Sequence, residues 1–105
     1  ASIEEKHLLA KYFWLRMKEE GFELGPEPAL SVVIYRFQAK GKDRDTFNMA
    51  LMHTVLRDGF NFISSTRIND EIWLRLAVLS FRTHKDRIDH LIDTLVHAKN
   101  ELLTH

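Results

Sequence analysis

The sequence predicts an α+β domain, with helices packed on one face of a small, mainly antiparallel sheet. Segments with helical periodicity occur at the start, the middle and the end of the 105-residue chain. Between them lie two pairs of short segments rich in β-branched and aromatic residues, and a two-residue turn joins the second pair. The order is therefore α-β-β-α-β-β-α, which is typical of sheets covered by helices on one side.

The first predicted helix begins near Ile3 and ends at Gly21. Ser2 and Glu5 form a capping box, in which each side chain bonds a free backbone N–H at the helix start. Glycine commonly follows the last residue of a helix, because it adopts a positive φ without steric cost. Apolar residues at positions 8–17 give this helix a face that can be buried.

Two predicted strands follow the first helix. Residues 22–24, Phe-Glu-Leu, form a short strand. Gly-Pro-Glu-Pro at 25–28 then makes a bend, because proline lacks the N–H that sheet pairing requires. Residues 30–37, LSVVIYRF, are mostly β-branched or aromatic and form a longer strand.

The second predicted helix is capped by Asp43 or Asp45 and ends at Gly59. Several of its residues recur at helical spacing on one face. These are Phe47, Ala50, Leu51, Thr54 and Val55. We expect Phe47, Met49 and Met52 to lie in or near the core rather than at a cofactor site.

A hairpin and a third helix complete the predicted fold. Residues 60–68 and 71–81 are predicted strands, and Asn-Asp at 69–70 suits a tight turn in which both residues adopt positive φ. Thr83, with Asp86 three residues later, caps the last helix. The apolar stripe of this helix consists of Ile88, Leu91, Ile92, Leu95, Val96 and Leu102.

The last predicted strand is apolar on both of its faces. One face carries Ile72, Leu74, Leu76 and Val78, and the other carries Trp73, Arg75, Ala77, Leu79 and Phe81. A sheet covered on one side normally has a polar second face. We therefore expect the uncovered face to meet another surface. Arg75 lies in the middle of that face, and an arginine in apolar surroundings predicts an anionic partner. The alternative is that its stem lies along the sheet and its guanidinium reaches solvent.

The composition limits the classes of function. Lys and Arg (15) balance Asp and Glu (15), so the neutral chain has no general attraction for nucleic acid or for anionic membranes. The absence of cysteine excludes disulfides and thiolate metal sites. No apolar run approaches the roughly 20 residues that span a bilayer, and the N-terminus lacks the features of a signal peptide. We expect a cytoplasmic protein.

Several segments resemble one family of enzymes. LSVVIYRF, preceded by Phe22-Glu23 and Glu27, is similar to the start of the C-terminal small domain of the group II pyridoxal-phosphate (PLP) amino-acid decarboxylases. This family includes aromatic-amino-acid, glutamate, cysteine-sulfinate and 2,4-diaminobutyrate enzymes. TRINDEIWLRLAVLSFRT at 66–83 resembles the family's hairpin and its apolar strand with one arginine. THKDRIDHLIDTL at 83–95 is most similar to the glutamate and cysteine-sulfinate branch.

The resemblance implies a function for a whole enzyme and a role for one residue. Residues 1–105 would be one domain, the C-terminal part of a longer chain whose PLP-binding large domain supplies the cofactor lysine. The homodimeric enzyme would remove the α-carboxyl group of an L-amino acid, with PLP taking up the electrons. The isolated domain would be inactive and would bind no PLP. By register, Arg75 matches the family's arginine near the substrate carboxylate, which it would bind in a two-pronged contact.

The residues also allow an alternative and contain one misleading dipeptide. The chain could be a free-standing module that binds a ligand through Arg75 or dimerises through its uncovered sheet face, without catalysis. The family's cofactor lysine follows a histidine, but His84-Lys85 opens the last helix, where a lysine faces solvent. A Schiff-base role for Lys85 is therefore disfavoured.

Three other groups of residues receive structural interpretations. Arg36 ends its strand and is expected to be exposed. A polar face of the last helix lies opposite the apolar stripe, so we expect solvent there and no metal. It carries Asp86, His90, Asp93 and His97. Four aromatic residues could stack RNA bases, an interpretation that the neutral charge disfavours. They are Tyr35, Phe37, Phe62 and Trp73, of which Trp73 is expected to pack against the large domain.

Overall fold

Across residues 3–28, 31–60, 63–78 and 85–104, which a computed structural model describes, three helices and four strands follow one another in the predicted order. They are α1 (Ile3–Glu19), β1 (Glu23–Leu24), β2 (Val32–Arg36), α2 (Arg44–Arg57), β3 (Ile63–Ile68), β4 (Glu71–Ala77) and α3 (Lys85–Leu103). None of these described helices has the length and apolar character needed to cross a membrane.

The strands form one antiparallel sheet in the order β1-β2-β4-β3, which confirms the predicted fold class. β4 is a central strand, paired with β2 on one side and β3 on the other. Arg75 of β4 lies directly between Ile34 of β2 and Ser64 of β3. Since directly opposed residues share a face, these three side chains point to the same side of the sheet. The next residue along, Leu74, is paired with Tyr35 and points to the opposite side.

The core lies between the three helices and the face of the sheet that carries Tyr35 and Leu74. Both residues are fully buried, and the predicted stripe of α3 packs against them. Its four most buried members are Ile88, Leu91, Ile92 and Leu95. Burial of one such side chain contributes roughly 1.5–3 kcal/mol, so this packing supplies the main stabilisation of the fold. Phe47 and Met52 are buried as predicted, and Met49 packs against the core.

Positive-φ residues lie at the predicted ends and turns. Gly21 and Gly59 have φ angles of 86° and 93°, and each follows the end of a helix. Asn69 and Asp70 have φ angles of 52° and 65°, as a tight turn with two left-handed residues requires. The hairpin between β3 and β4 is therefore confirmed in both position and turn geometry.

Some element limits agree with the predictions and others differ. The N-cap of α2 is Asp43, one of the two predicted candidates, because its Oδ2 accepts a hydrogen bond of 2.9 Å from the Thr46 N–H. β3 begins at Ile63 and not at Phe60, whose N–H still bonds to the Val55 carbonyl at the end of α2. The predicted caps Ser2 and Thr83, and positions 79–81 of the predicted strand, lie outside the described residues.

Candidate functional site

The sheet has an open face, opposite the helices, that no described element covers. Strand alternation and register assign to it Glu23, Val32, Ile34, Arg36, Ser64, Thr66, Ile68, Glu71, Trp73, Arg75 and Ala77. The uncovered second face that the sequence predicts is thus present. It combines apolar side chains with two arginines and two carboxylates. Which ligands this face can bind therefore depends on which of these charged groups are paired with one another.

Arg75 lies in the middle of the open face and is exposed. Its cross-strand neighbours are Ile34 and Ser64, and Trp73 and Ala77 lie two residues away on the same strand and face. No hydrogen bond, ion pair or ring contact joins its guanidinium to any residue that the structure describes. The anionic partner that the sequence predicts for Arg75 is therefore not supplied by the described part of the chain.

Arg36 is the buried arginine of the open face, and its predicted exposure was wrong. Only 6% of Arg36 is exposed. Its Nη2 donates to Glu23 Oε2 at 2.8 Å and its Nη1 to Glu71 Oε1 at 3.4 Å, while its guanidinium lies 3.9 Å from the centre of the Trp73 ring. The register explains this burial, since Glu23 is directly opposite Arg36 and the β2–β4 pairing brings Trp73 to its other side.

The two carboxylates bound to Arg36 have further donors. Glu71 also accepts a hydrogen bond from Arg44 at the start of α2, and Glu23 accepts one from Gln38. The hydrogen bond from Arg36 lowers the pKa of the Glu23 carboxyl below its usual range. Two arginines thus balance two carboxylates at this end of the open face, and the group has no net charge.

The aromatic residues do not form a stacking platform. Tyr35 is fully buried on the helix side of the sheet, where its ring meets those of Phe13 and Phe22 edge-on. Phe37 contacts Phe47 of α2 at 5.8 Å. Among the three of these aromatic residues that the structure describes, Trp73 alone lies on the open face, so these three rings do not form a shared surface on which RNA bases could stack. The fourth aromatic residue considered for it, Phe62, lies outside the described residues.

Lys85 does not fit a covalent link to PLP. Its Nζ is 3.1 Å from Asp89 Oδ2 and 4.8 Å from the Tyr12 ring centre, and the side chain is exposed at the start of α3. The hydrogen bond with Asp89 raises the pKa of Lys85, whereas a Schiff-base lysine must lose its proton. The solvent-facing position that the sequence predicts for Lys85 is thus confirmed. His84, the other member of the dipeptide, lies outside the described residues.

The polar face of α3 is exposed, as predicted for Asp86, His90, Asp93 and His97. His97 Nε2 lies 2.8 Å from Glu101 Oε1 on the next turn, and the His90 ring contacts Phe60. No group of three or more His, Asp or Glu side chains within the described ranges is arranged to bind a metal. This face is solvated helix surface.

Asn48 is a buried polar residue whose role was not predicted from the sequence. Its Oδ1 accepts from the Phe37 N–H at 2.9 Å, and its Nδ2 donates to the carbonyls of Phe37 and Arg44 at 3.0 and 2.8 Å. The side chain thereby joins the end of β2 to α2, next to the strand position of Arg36. The sequence contains one signal for this role, which is an asparagine at a position on the buried face of a helix where an apolar residue is expected.

Solved structures share this fold. The Oryza sativa protein TDC, solved with PLP and tryptamine, superposes with a TM-score of 0.88 at 20% sequence identity, over 96% of this chain and 23% of that chain. Catharanthus roseus tryptophan decarboxylase in complex with L-tryptophan superposes with a TM-score of 0.87 at 23% sequence identity, over 96% of this chain and 22% of that chain. A third match is the glutamate decarboxylase domain of a Vibrio parahaemolyticus diaminobutyrate-pyruvate transaminase and L-2,4-diaminobutyrate decarboxylase. Its TM-score is 0.78 at 21% sequence identity, over 94% of this chain and 22% of that chain.

These similarities establish the fold. The present chain spans less than a quarter of the length of each of those proteins. No protein-family model and no curated protein sequence matches the chain.

Proposed function

We propose that residues 1–105 are the C-terminal domain of a PLP-dependent L-amino-acid α-decarboxylase, and that Arg75 binds the carboxylate of the substrate. The observation that carries the proposal is an exposed arginine, without a partner among the described residues, in the middle of an open face where Ile34, Trp73 and Ala77 are its neighbours. The fold that presents this face recurs in decarboxylases of known structure.

Arg75 has the chemistry that carboxylate binding needs. Its guanidinium offers two parallel N–H donors, which match the two oxygens of a carboxylate. A strand residue between two paired neighbours is also held more rigidly than a loop residue, which favours a defined substrate orientation. PLP, held by residues outside this chain, would supply the electron sink for decarboxylation.

The open face would have its partner within the same protein. A PLP-binding large domain of the same chain would cover Val32, Ile34 and Trp73 and would exclude water around Arg75. Exclusion of water strengthens a charge-assisted hydrogen bond, because the surrounding dielectric constant falls. The complete enzyme would be a homodimer, and this chain without the large domain would have no activity.

The length of the encoding reading frame tests the domain assignment. We expect several hundred residues before Ala1, with a His-Lys pair in the region that binds PLP. A frame of about 105 codons would contradict the decarboxylase assignment. It would favour the free-standing module, in which the open face binds a ligand or a second copy.

Substitution of Arg75 tests the site in the full-length protein. Arg75→Ala is expected to lower kcat/KM for decarboxylation by about 100-fold, while the absorbance of bound PLP persists, because the residue contacts substrate and not cofactor. Arg75→Lys should recover only part of the loss, since an ammonium group cannot make the two-pronged contact.

Arg67→Ala is the matched control for this substitution. Arg67 is an exposed arginine of the neighbouring strand β3, but it points to the other side of the sheet. Its removal should leave kcat/KM within about threefold of the unmodified protein, as expected for a surface residue away from the site. Equal activity of the Arg75→Ala and Arg67→Ala proteins would show that Arg75 does not bind substrate.

A further inference from the structure

The open face carries two arginines whose charges are used differently. Arg36 is buried and contacts two carboxylates and an indole ring. Arg75 is exposed, and no described residue contacts its guanidinium. Both arginines stand on the same side of the sheet and lie near the same Trp73. The difference between them is that Glu23 and Glu71 are bound by Arg36 and not by Arg75.

We propose that Arg36 is a positioning residue that keeps Arg75 available for a carboxylate ligand; this role rests on the proposed function. Together with Arg44, Arg36 neutralises Glu23 and Glu71, which would otherwise lower the positive potential around Arg75. It also holds the Trp73 indole in one place beside Arg75. Arg36 itself binds no substrate, since its two terminal nitrogens already donate to Glu23 and Glu71.

The electrostatic part of the role follows from the spacing along β4. Glu71 and Arg75 are four residues apart on the same face, about 13 Å between Cα atoms, and their flexible side chains can reduce that separation. Screening in salt acts over about 10 Å in open solvent but weakens in a covered site. Without Arg36, only Arg44 would balance Glu23 and Glu71, so this end of the open face would carry a net negative charge. That charge would attract Arg75 and repel an incoming carboxylate.

The mechanical part of the role follows from the stacking geometry. The Arg36 guanidinium lies 3.9 Å from the Trp73 ring centre, a cation–π contact that restricts the indole. Trp73 and Arg75 are two residues apart on one strand face, so their Cα atoms are about 7 Å apart. The indole thus forms a fixed wall next to the proposed carboxylate site. Lysine could not replace Arg36, because an ammonium group has neither the planar surface nor the fork of donors.

Three variants of the full-length protein test this role by steady-state decarboxylation kinetics. Arg36→Met leaves Glu23 without an arginine and Glu71 with Arg44 alone. It should raise KM for the amino acid about 10-fold, with kcat changed less than about threefold. The triple variant Arg36→Met, Glu23→Gln, Glu71→Gln removes those carboxylates and should lower KM to about threefold above that of the unmodified protein. The remaining difference reflects the lost contact between Arg36 and Trp73. Arg36→Lys should give an intermediate KM, and raising the KCl concentration should reduce the KM difference between Arg36→Met and the unmodified protein.

Each outcome supports or overturns the role of Arg36. An unchanged KM in Arg36→Met overturns it, as does a triple variant that is as impaired as the single one, because the residue would then act only through the fold. If Arg36→Met yields no folded protein, the triple variant decides, and a KM about 10-fold above that of the unmodified protein overturns the role.

The Arg75 substitution separates this role from the proposed function. An unmodified protein without decarboxylase activity, or an Arg75→Ala variant with unchanged kinetics, overturns the proposed function and the role of Arg36 together. A protein that requires Arg75 but is indifferent to Arg36→Met overturns the role of Arg36 alone.

Discussion

Tyr35 is a single residue whose polar atom opposes the packing around it. The side chain is fully buried, and its hydroxyl has no hydrogen-bond partner among the described residues. Burial raises the pKa of this phenol above its ordinary value. We expect Tyr35→Phe to raise the free energy of unfolding by about 1 kcal/mol, because a buried hydroxyl without a partner costs free energy that a ring hydrogen does not. The urea midpoint at unchanged slope measures the difference.

Tyr12→Phe is the control for that substitution. The Tyr12 hydroxyl donates to Asp89 and accepts from Arg16 Nη1 at 3.0 Å, so its removal should lower the stability. A loss of stability in Tyr35→Phe comparable to that in Tyr12→Phe would show that the buried hydroxyl has a partner, such as an internal water molecule.

At the residue scale, the sequence predicts which face of the sheet carries Arg75, but it does not predict that Arg36 is buried. Strand alternation alone places Arg75 on the face away from the helices. The burial of Arg36 depends on Glu23 and Glu71, which are 13 residues before it and 35 residues after it, and which meet it only through the register of three strands. Asn48 is similar, since its bonds to Phe37 depend on where α2 crosses the end of β2. Local pattern contains no information on such distant partners.

At the scale of elements, local signals predict existence and order better than limits. The periodicity of α3 and the turn at 69–70 are properties of neighbouring residues, so both were predicted correctly. The predicted start of β3 was wrong. Phe60 has strand propensity, but its N–H donates to the Val55 carbonyl at the end of α2. Tertiary packing, with Phe60 fully buried against the core, overrides that propensity.

The contact between α1 and α3 predicts a pH dependence of stability. The hydrogen bond from Tyr12, and then that from Lys85, lowers the pKa of Asp89 below its ordinary value. A carboxyl whose pKa is lower in the folded state stabilises the fold above its unfolded pKa, which is about 3.9. That contribution is lost as the pH falls through the lower, folded pKa. The unmodified protein should therefore exceed Asp89→Asn in stability at pH 7, and the difference should shrink below about pH 4.

Asp93→Asn is the control for the pH experiment. Asp93 is exposed one turn further along α3 and has no hydrogen bond or ion pair with the described residues. Its substitution should change the unfolding midpoint little at any pH between 3 and 7. A stability difference between the unmodified protein and Asp89→Asn that stays constant over this range would contradict a charge-dependent contact between the helices.

At the scale of the whole molecule, the domain has its own hydrophobic core and a sheet face that no described element covers. The radius of gyration is 13.1 Å, which matches the roughly 13 Å of an independent domain of this length. The helices cover one side of the sheet, and the other side exposes apolar residues around Arg75. A fold that spans 22–23% of much longer proteins fits this combination, because a domain within a longer chain needs its own core and a face for its neighbour.

Two adjacent residues of β2 separate the core from the open face. Val33 is fully buried beneath the helices, whereas Ile34 lies on the open face and is half-buried. Val33→Gln should lower the free energy of unfolding of the 105-residue chain by about 3 kcal/mol or more, because an amide group would be buried without partners. Ile34→Gln should lower it by less than about 1 kcal/mol, since the amide group remains hydrated. Equal losses in urea unfolding would contradict a sheet covered on one side.

The same pair of variants in the full-length protein reports on what covers the open face. If a large domain lies on it, Ile34→Gln introduces a polar group into a closed interface, and its cost should exceed that in the 105-residue chain by about 1–2 kcal/mol. The cost of Val33→Gln should be similar in both settings, because its surroundings belong to this domain alone. Thermal and urea unfolding of both lengths give the four values. An Ile34→Gln cost that does not depend on the length of the chain would mean that the open face stays in solvent, and that Arg75 meets its carboxylate without a covering domain.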